Sequence, residues 1–397
     1  MPSLIEQLPE PHPKQNKTKQ NKTKQNKMKQ TLNSQRLYSL DALRGFDMFW
    51  IIGAEEIFHK TAEITDSPFW HSLAHQFVHP DWHGFAFYDL IFPLFLFLAG
   101  VATPYSIGKQ IEKGKDRQSL LFRVIKRGLI LVLLGVIYNN GLKIMPLEEI
   151  RFGSVLGRIG LAYMFANIIY LYTKQRGQII WFAALLIGYW LLLLFNSTPG
   201  YPMGDLTMEG NFASYLDTLI LPGKLYLGVH DPEGLISTIP AISTALLGIY
   251  AGNLLRNTSL EKRKETAIRI VVTGIILIIV AQVWNLVFPI NKNLWTSSFT
   301  LQCGGISMLL LAAFYYIIDI LEYKKWAFFF KIIGMNSILI YMAGSFINWS
   351  YTTSALFGWL GQIVGEPYNA VVMVFCLIAV QWGFLYFLYK KGVFLRV

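Results

Sequence analysis

Apolar residues in this chain come in long blocks rather than at the alternating spacing of half-buried strands. Blocks near residues 43–59, 85–107, 120–138, 156–173, 179–195, 236–255, 268–289, 298–320, 326–347 and 369–389 approach the roughly 20 residues needed to cross a hydrocarbon layer about 30 Å thick. Backbone polar groups find no water in lipid, so each block is expected to be a helix. The pattern predicts an all-α polytopic membrane bundle of about ten transmembrane helices, forming one domain over residues 35–397. Composition agrees, because 53% hydrophobic and 15% charged residues leave too little polar surface for a soluble chain of this size.

Residues 1–34 break the pattern. A Lys-Gln-Asn-Lys-Thr repeat runs from Lys14 to Lys27 with almost nothing to bury, so this basic tail is expected to be disordered. Met28 opens an ordinary-looking start, Met-Lys-Gln-Thr-Leu, and one reading is that translation begins there and the repeat is not native.

Charge then orients the blocks. One set of connections carries Lys109, Lys113, Lys115, Arg117, Arg123, Lys126 and Arg127, then Lys174 and Arg176. Arg256, Lys262, Arg263, Lys264, Arg269, Lys324, Lys325, Lys390, Lys391 and Arg396 continue it. The alternate set holds only Lys60, Lys143, Arg151, Lys224 and Lys292. The positive-inside rule places both termini in the cytoplasm and the loops near 60–84, 139–155, 196–235 and 348–368 outside. In a bacterium that means the inner membrane and its periplasmic face. Topology thus accounts for the net charge of +11 without any nucleic-acid partner. A Gly-rich phosphate loop and a long cytoplasmic segment are both missing, which excludes an ATPase or kinase module. Cys303 and Cys376 fall in separate apolar blocks with no metal-ligand spacing and read as packing residues.

Candidate chemistry concentrates in the exterior loops. His71, His75, His79 and His83 are spaced by four and on one continuous helix would form a stripe, but Pro80 argues against continuity and no metal is expected. His79 is either a loop-bonded interfacial histidine or a proton acceptor near neutrality. Glu55 and Glu56 sit near the outer end of the first block, where carboxylates are either solvated or functional. Arg158 lies deeper in an apolar run and needs a partner, protein or ligand. Asp231 and Glu233, in Asp-Pro-Glu-Gly, read either as a helix-capping turn or as two carboxylates able to hold sugar hydroxyls or an ammonium. The turn Asn291-Lys292-Asn293-Leu294-Trp295 offers polar groups to a ligand. Asn336, in Gly-Met-Asn-Ser, is a helix-packing amide or a ligand contact. At the opposite mouth Arg44 stands three residues after Asp41, as a topology anchor or a phosphate contact.

Six ordered motifs together resemble the heparan-alpha-glucosaminide N-acetyltransferase family of transmembrane acyltransferases. They are Ser39-Leu-Asp-Ala-Leu-Arg-Gly45, His79-Pro-Asp-Trp-His-Gly84 with Asp89-Leu-Ile-Phe-Pro93, Gly157-Arg-Ile-Gly160, Asp231-Pro-Glu-Gly-Leu-Ile-Ser-Thr-Ile239, Asn291-Lys-Asn-Leu-Trp295 and Gly334-Met-Asn-Ser337. The resemblance covers about residues 36–345. It implies acetyl-CoA as a cytosolic co-substrate and an amino sugar or glycan as acceptor on the far side. It also implies that His79, ahead of Trp82, Gly84 and Asp89–Pro93, is the catalytic histidine. The resemblance is expected to be to a bacterial-type member, without the large luminal segment that precedes the first span in the lysosomal member.

Such a reaction sets physical demands. The donor's nucleotide needs a basic cytoplasmic mouth, for which Arg44, Arg123, Lys126 and Arg127 are the candidates, with Arg158 farther in. The acceptor amine must be neutral when it attacks, which requires a base within reach; His79 takes that role, or forms an acetyl-imidazole as nucleophile. Asp89 is expected to orient the ring and Asn293 to stabilise the oxyanion, with Asp231, Glu233, Lys292, Trp295 and Asn336 contacting the acceptor. The alternative of another class is a transporter for an amino sugar or similar solute, using Glu55, Glu56 and Arg158 as coupling groups. Lipid contact is general, and a homodimer is compatible with the apolar faces. If translation starts at Met28, peptide mass spectrometry of the native protein should find nothing upstream of it, and one upstream peptide refutes that start.

Overall fold

The computed structural model describes residues 37–395; the lysine repeat, Met28 and Arg396 lie outside them. Among the described residues the regular structure is helical, apart from one isolated bridge between Arg151 and Gly223. In chain order the helices are α1 (Tyr38–Phe49), α2 (Glu56–Thr65), α3 (Pro68–His75), α4 (Ile91–Thr103), α5 (Lys109–Glu112), α6 (Arg117–Asn140), α7 (Val155–Tyr172) and α8 (Gln175–Leu194). They continue with α9 (Phe212–Ile220), α10 (Thr238–Arg256), α11 (Arg263–Asn285), α12 (Ser297–Phe314), α13 (Ala327–Met335), α14 (Ser337–Phe346), α15 (Trp349–Val364) and α16 (Asn369–Lys390).

Among the described residues, seven helical segments are long and apolar enough to cross a membrane, and α13 with α14, bent by 66° at their junction, make an eighth if counted as one span. The molecule is therefore an integral membrane protein built as a polytopic helical bundle. Two of the ten expected spans fall outside this set for reasons visible in their residues. The α6 helix, though 24 residues long, carries Arg123, Lys126 and Arg127 in its first half. The first block is broken: α1 runs on through a π-helical turn, Trp50–Ala54, to Gly53 at φ 112°, a conformation that glycine adopts without strain. Beyond it α2 begins afresh at Glu56.

Side-chain contacts separate the loops into two ends. At one end the segments 76–86, 139–154, 196–237 and 286–296 meet. Gly84 N–H donates to Ile290 O at 2.9 Å, Trp82 Nε1 to Leu206 O at 2.7 Å, and Arg151 reaches Asp231. At the other end Arg256 pairs with Glu112, Arg263 donates to Asp319 O at 3.1 Å, and Ser39 N–H to the Asp319 carboxylate at 3.2 Å. The basic connections thus gather at one end and the histidine-bearing loops at the other, as the charge pattern requires.

Small residues let the helices approach closely between these ends, as membrane packing favours. A Cβ placed on Gly45 of α1 would run into the backbone of Phe330 on α13, and one on Gly334 into the backbone of Asp41. The same holds for Gly100 of α4 and Gly248 of α10. A Gly334→Val protein should therefore unfold at a lower midpoint in detergent, by an overpacking cost of about 1–3 kcal/mol. Gly344→Ala, where an added Cβ meets nothing within 4 Å, should leave the midpoint unchanged. Equal midpoints for Gly334→Val and wild type would contradict the close crossing.

Candidate active site

His79 sits in the loop that follows α3 and precedes a 3-10 turn, Phe87–Leu90, leading into α4. Its placement follows from local chemistry. The α3 helix stops at His75, so the four histidines never form a stripe; Gln76 O then accepts from Tyr88 N–H at 3.0 Å, closing the loop. Gly84 at φ 135° supplies the turn beside Pro80. Asp89, 1% exposed, uses one carboxylate oxygen to accept the Ala86 N–H at 2.9 Å. The other oxygen lies 2.6 Å from His79 Nδ1. An ionised carboxylate only accepts, so Nδ1 carries the proton and the Nε2 lone pair is left for chemistry. Tyr88 stacks on the imidazole with ring centroids 5.0 Å apart and donates to Glu55 at 3.4 Å.

Lys292 completes this group from 213 residues away. Its Nζ is 2.7 Å from His79 Nε2, 3.2 Å from Nδ1 and 3.8 Å from the Asp89 carboxylate. Burial pushes the Lys292 ammonium below the ordinary lysine range, while Asp89 and Glu233 pull it back up. His79, Lys292 and Glu233 are polar members of the wall of a cavity of about 170 Å³. Its remaining walls are mostly apolar: Met48 and Ile51, Ile91, Phe92 and Phe95 of α4, Val155, Leu156 and Ile159 of α7, Ile338 and Tyr341 of α14. Counted along the helices, Met48, Phe95 and Ile159 lie deepest. A second cleft of about 600 Å³ runs between α14, α15 and α16 and shares Ile51 and Tyr341 with this cavity.

The remaining candidates divide between the two ends. Asp231 and Glu233 are held by Arg151, which donates to Asp231 at 2.9 and 2.7 Å and to Glu233 at 2.5 Å. Burial opposes charge on Asp231, but the Arg151 hydrogen bonds and charge prevail and lower its pKa. Arg158, 2% exposed, is placed at this same end, away from the basic loops. It donates to Gly234 O at 3.2 Å and to Ser237 Oγ, and lies 4.8 Å over the Trp295 ring. Trp295 itself is fully buried. Asn293 belongs to the same turn, one residue past Lys292. His83 bonds Asn291 at 3.2 Å and burial lowers its pKa.

At the basic end Arg44 stands 3.8 Å from Asp41. Arg123 donates to Gln110 at 2.5 Å, Arg127 donates to the Tyr163 hydroxyl at 3.1 Å, and Lys126 is exposed on the same helix. Asn336 is also at this end, where it donates to Val393 O and accepts from Leu395 N–H, both at 3.0 Å. The structure thus brings His79, Asp89, Lys292 and Glu233 together and leaves Asn336 and the basic residues far from them.

A second buried polar cluster lies beside this site. Ser214 Oγ lies 2.6 Å from His230 Nδ1, and Asp217 accepts from Leu235 and Ile236 N–H at 3.0 and 3.1 Å. Burial holds His230 at about 4 and raises Asp217 to about 6. His230 packs edge-on to Trp82 at 5.2 Å, so the cluster braces the loop that carries His79. Asn211, capping α9 through Ser214 N–H at 2.8 Å, was the one signal available in the sequence.

Comparison with known proteins fits this geometry. A family profile described as heparan-alpha-glucosaminide N-acetyltransferase, catalytic, matches residues 36–282. Heparan-alpha-glucosaminide N-acetyltransferase of Mus musculus is 27% identical over 380 residues, covering 81% of this chain and 56% of its own length. The Homo sapiens protein of that name is 26% identical over 363 residues, covering 77% and 52%. The chain spans little more than half the length of these relatives. It belongs, through the region that holds His79, Asp89 and Arg158, to the heparan-alpha-glucosaminide N-acetyltransferase catalytic family.

Proposed function

We propose that this protein moves an acetyl group across the membrane, from acetyl-CoA at the basic, cytoplasmic end to the amine of an amino sugar at the His79 end. The observation that carries the reading is the orientation of His79. A buried carboxylate fixes its tautomer, and its free nitrogen is aimed at the mouth of an apolar cavity sunk among the helices. Both relatives are named for N-acetyl transfer to a glucosaminide, which favours the same chemistry.

The parts divide the labour. Basic residues of α6 and Arg44 supply charge for the donor's phosphates, and a flexible thioester arm is the only part of the donor slim enough to pass between helices. The apolar cavity suits an acetyl group and excludes water, which would otherwise hydrolyse it. At its mouth Nε2 of His79 takes the proton of the attacking amine. Asp89 favours the imidazolium that forms and keeps Nδ1 protonated. In the two-step version the same nitrogen attacks the thioester and the amine then discharges an acetyl-imidazole.

Reconstituted protein given acetyl-CoA on one face and glucosamine on the other should yield N-acetylglucosamine; appearance of unmodified sugar on the donor side instead would mark a carrier. His79→Ala should abolish transfer while the protein still folds. Asp89→Asn, which removes the charge and leaves one acceptor oxygen for both the Ala86 N–H and Nδ1–H, should reduce kcat by about 10²–10⁴-fold, the worth of a general base. Transfer at the wild-type rate by His79→Ala removes this histidine from the reaction. Labelled acetyl-CoA without acceptor leaves label on His79 only in the two-step route.

A further inference from the structure

With Nδ1–H committed to Asp89, the only lone pair on His79 is at Nε2. Lys292 Nζ lies 2.7 Å from Nε2 and 3.2 Å from Nδ1, distances that set the ammonium beside the ring and off the line of that lone pair. The cation is held there by Asp89 at 3.8 Å and by Glu233 in the same cavity wall. The base is thus open to an attacking amine while a cation stands next to it.

We propose that Lys292 is a second catalytic residue, whose ammonium binds the oxygen of the thioester carbonyl as that carbon becomes tetrahedral. The inference rests on the acetyl-transfer reading above. Nε2 and Nζ are close enough for one reacting carbon to be near both, with the attacking amine against the imidazole and the carbonyl oxygen against the ammonium. As the C–N bond forms, the carbonyl π electrons pass to oxygen and the amine proton passes to Nε2. Oxygen is then a full anion and a strong acceptor, so the lysine N–H hydrogen-bonds to it. The oxyanion collapses, the C–S bond breaks with its electron pair going to sulfur, and the imidazolium gives its proton to the thiolate. The cation beside the ring thereby supplies the countercharge at the moment it is needed. The same geometry gives lysine the electrophilic role that the sequence suggested for Asn293.

Lys292→Met keeps the length of the side chain and removes its charge. It should lower kcat roughly 10²–10³-fold, the usual cost of losing an oxyanion donor, with the KM for the amino sugar within about twofold of wild type. Release of CoA thiol by hydrolysis in the absence of any amine should fall by a similar factor. Lys292→Arg should recover part of both rates, and ethylammonium should partly restore Lys292→Ala. A kcat within about threefold of wild type in Lys292→Met would overturn the proposal, as would a loss confined to the KM of the sugar. If Lys292→Met does not fold, the ethylammonium rescue decides instead: no recovery of a folded Lys292→Ala overturns it. A wild-type protein that releases no thiol with any acceptor overturns the transfer reading itself, and this proposal with it.

Discussion

The Asp89 carboxylate is the constraint on which the site depends. Almost without solvent contact, it divides its oxygens between the Ala86 N–H and the His79 ring. The first bond fixes how the loop enters α4, and the second fixes which imidazole nitrogen is protonated. A buried anion is expensive unless paired and hydrogen-bonded. The Lys292 ammonium at 3.8 Å supplies the charge partner, so ring, acid and lysine form a unit in which each member meets a need of the others. Removing any one leaves a buried charge or an unmade hydrogen bond.

Around that unit the surrounding loops are tied down rather than left open. Arg151 gathers Asp231 and Glu233, closes on the Tyr226 ring at 4.3 Å, and joins the 139–154 and 196–237 segments. The two carboxylates that looked available for sugar hydroxyls are already bonded to it. Glu233 alone also faces the cavity, so it is the member of the pair positioned to meet a ligand. His230, kept neutral by burial, can pack against Trp82 because it carries no charge to solvate.

The sequence was informative about what is local and silent about what is distant. Apolar blocks gave the bundle, and alternating charge gave the two ends, because both follow from the cost of placing polar groups in lipid. His79 and Asp89 are ten residues apart, with a helix start between them, and their pairing was legible. Arg158 was legible as a buried charge in need of a partner, but not as a group at the His79 end, because its partners lie beyond two intervening helices for Gly234 and Ser237 and four for Trp295. Asn336, which the sequence left open between a helix-packing amide and a ligand contact, ties down the chain at Val393 and Leu395. Neither periodicity nor composition reports such long-range contacts.

Lys292 shows the same limit most sharply and also why the site is one structure. The family match ends at residue 282, so it takes in the histidine and its carboxylate but not the turn that brings the lysine. That turn is held by its own chemistry. Asn291 accepts from Leu294 N–H at 2.8 Å, and Thr296 N–H donates to Asn291 O at 3.1 Å. Tyr189 donates to Leu294 O at 2.7 Å. Trp295 stands at φ 51°, a left-handed conformation that costs a bulky residue about 1–3 kcal/mol and persists only where the surroundings impose it. They do so here: the indole is fully buried, edge-on to Phe92 at 4.8 Å and beneath the Arg158 guanidinium. The Arg158 guanidinium over the Trp295 ring therefore helps to hold the turn that carries Lys292, three residues before that ring.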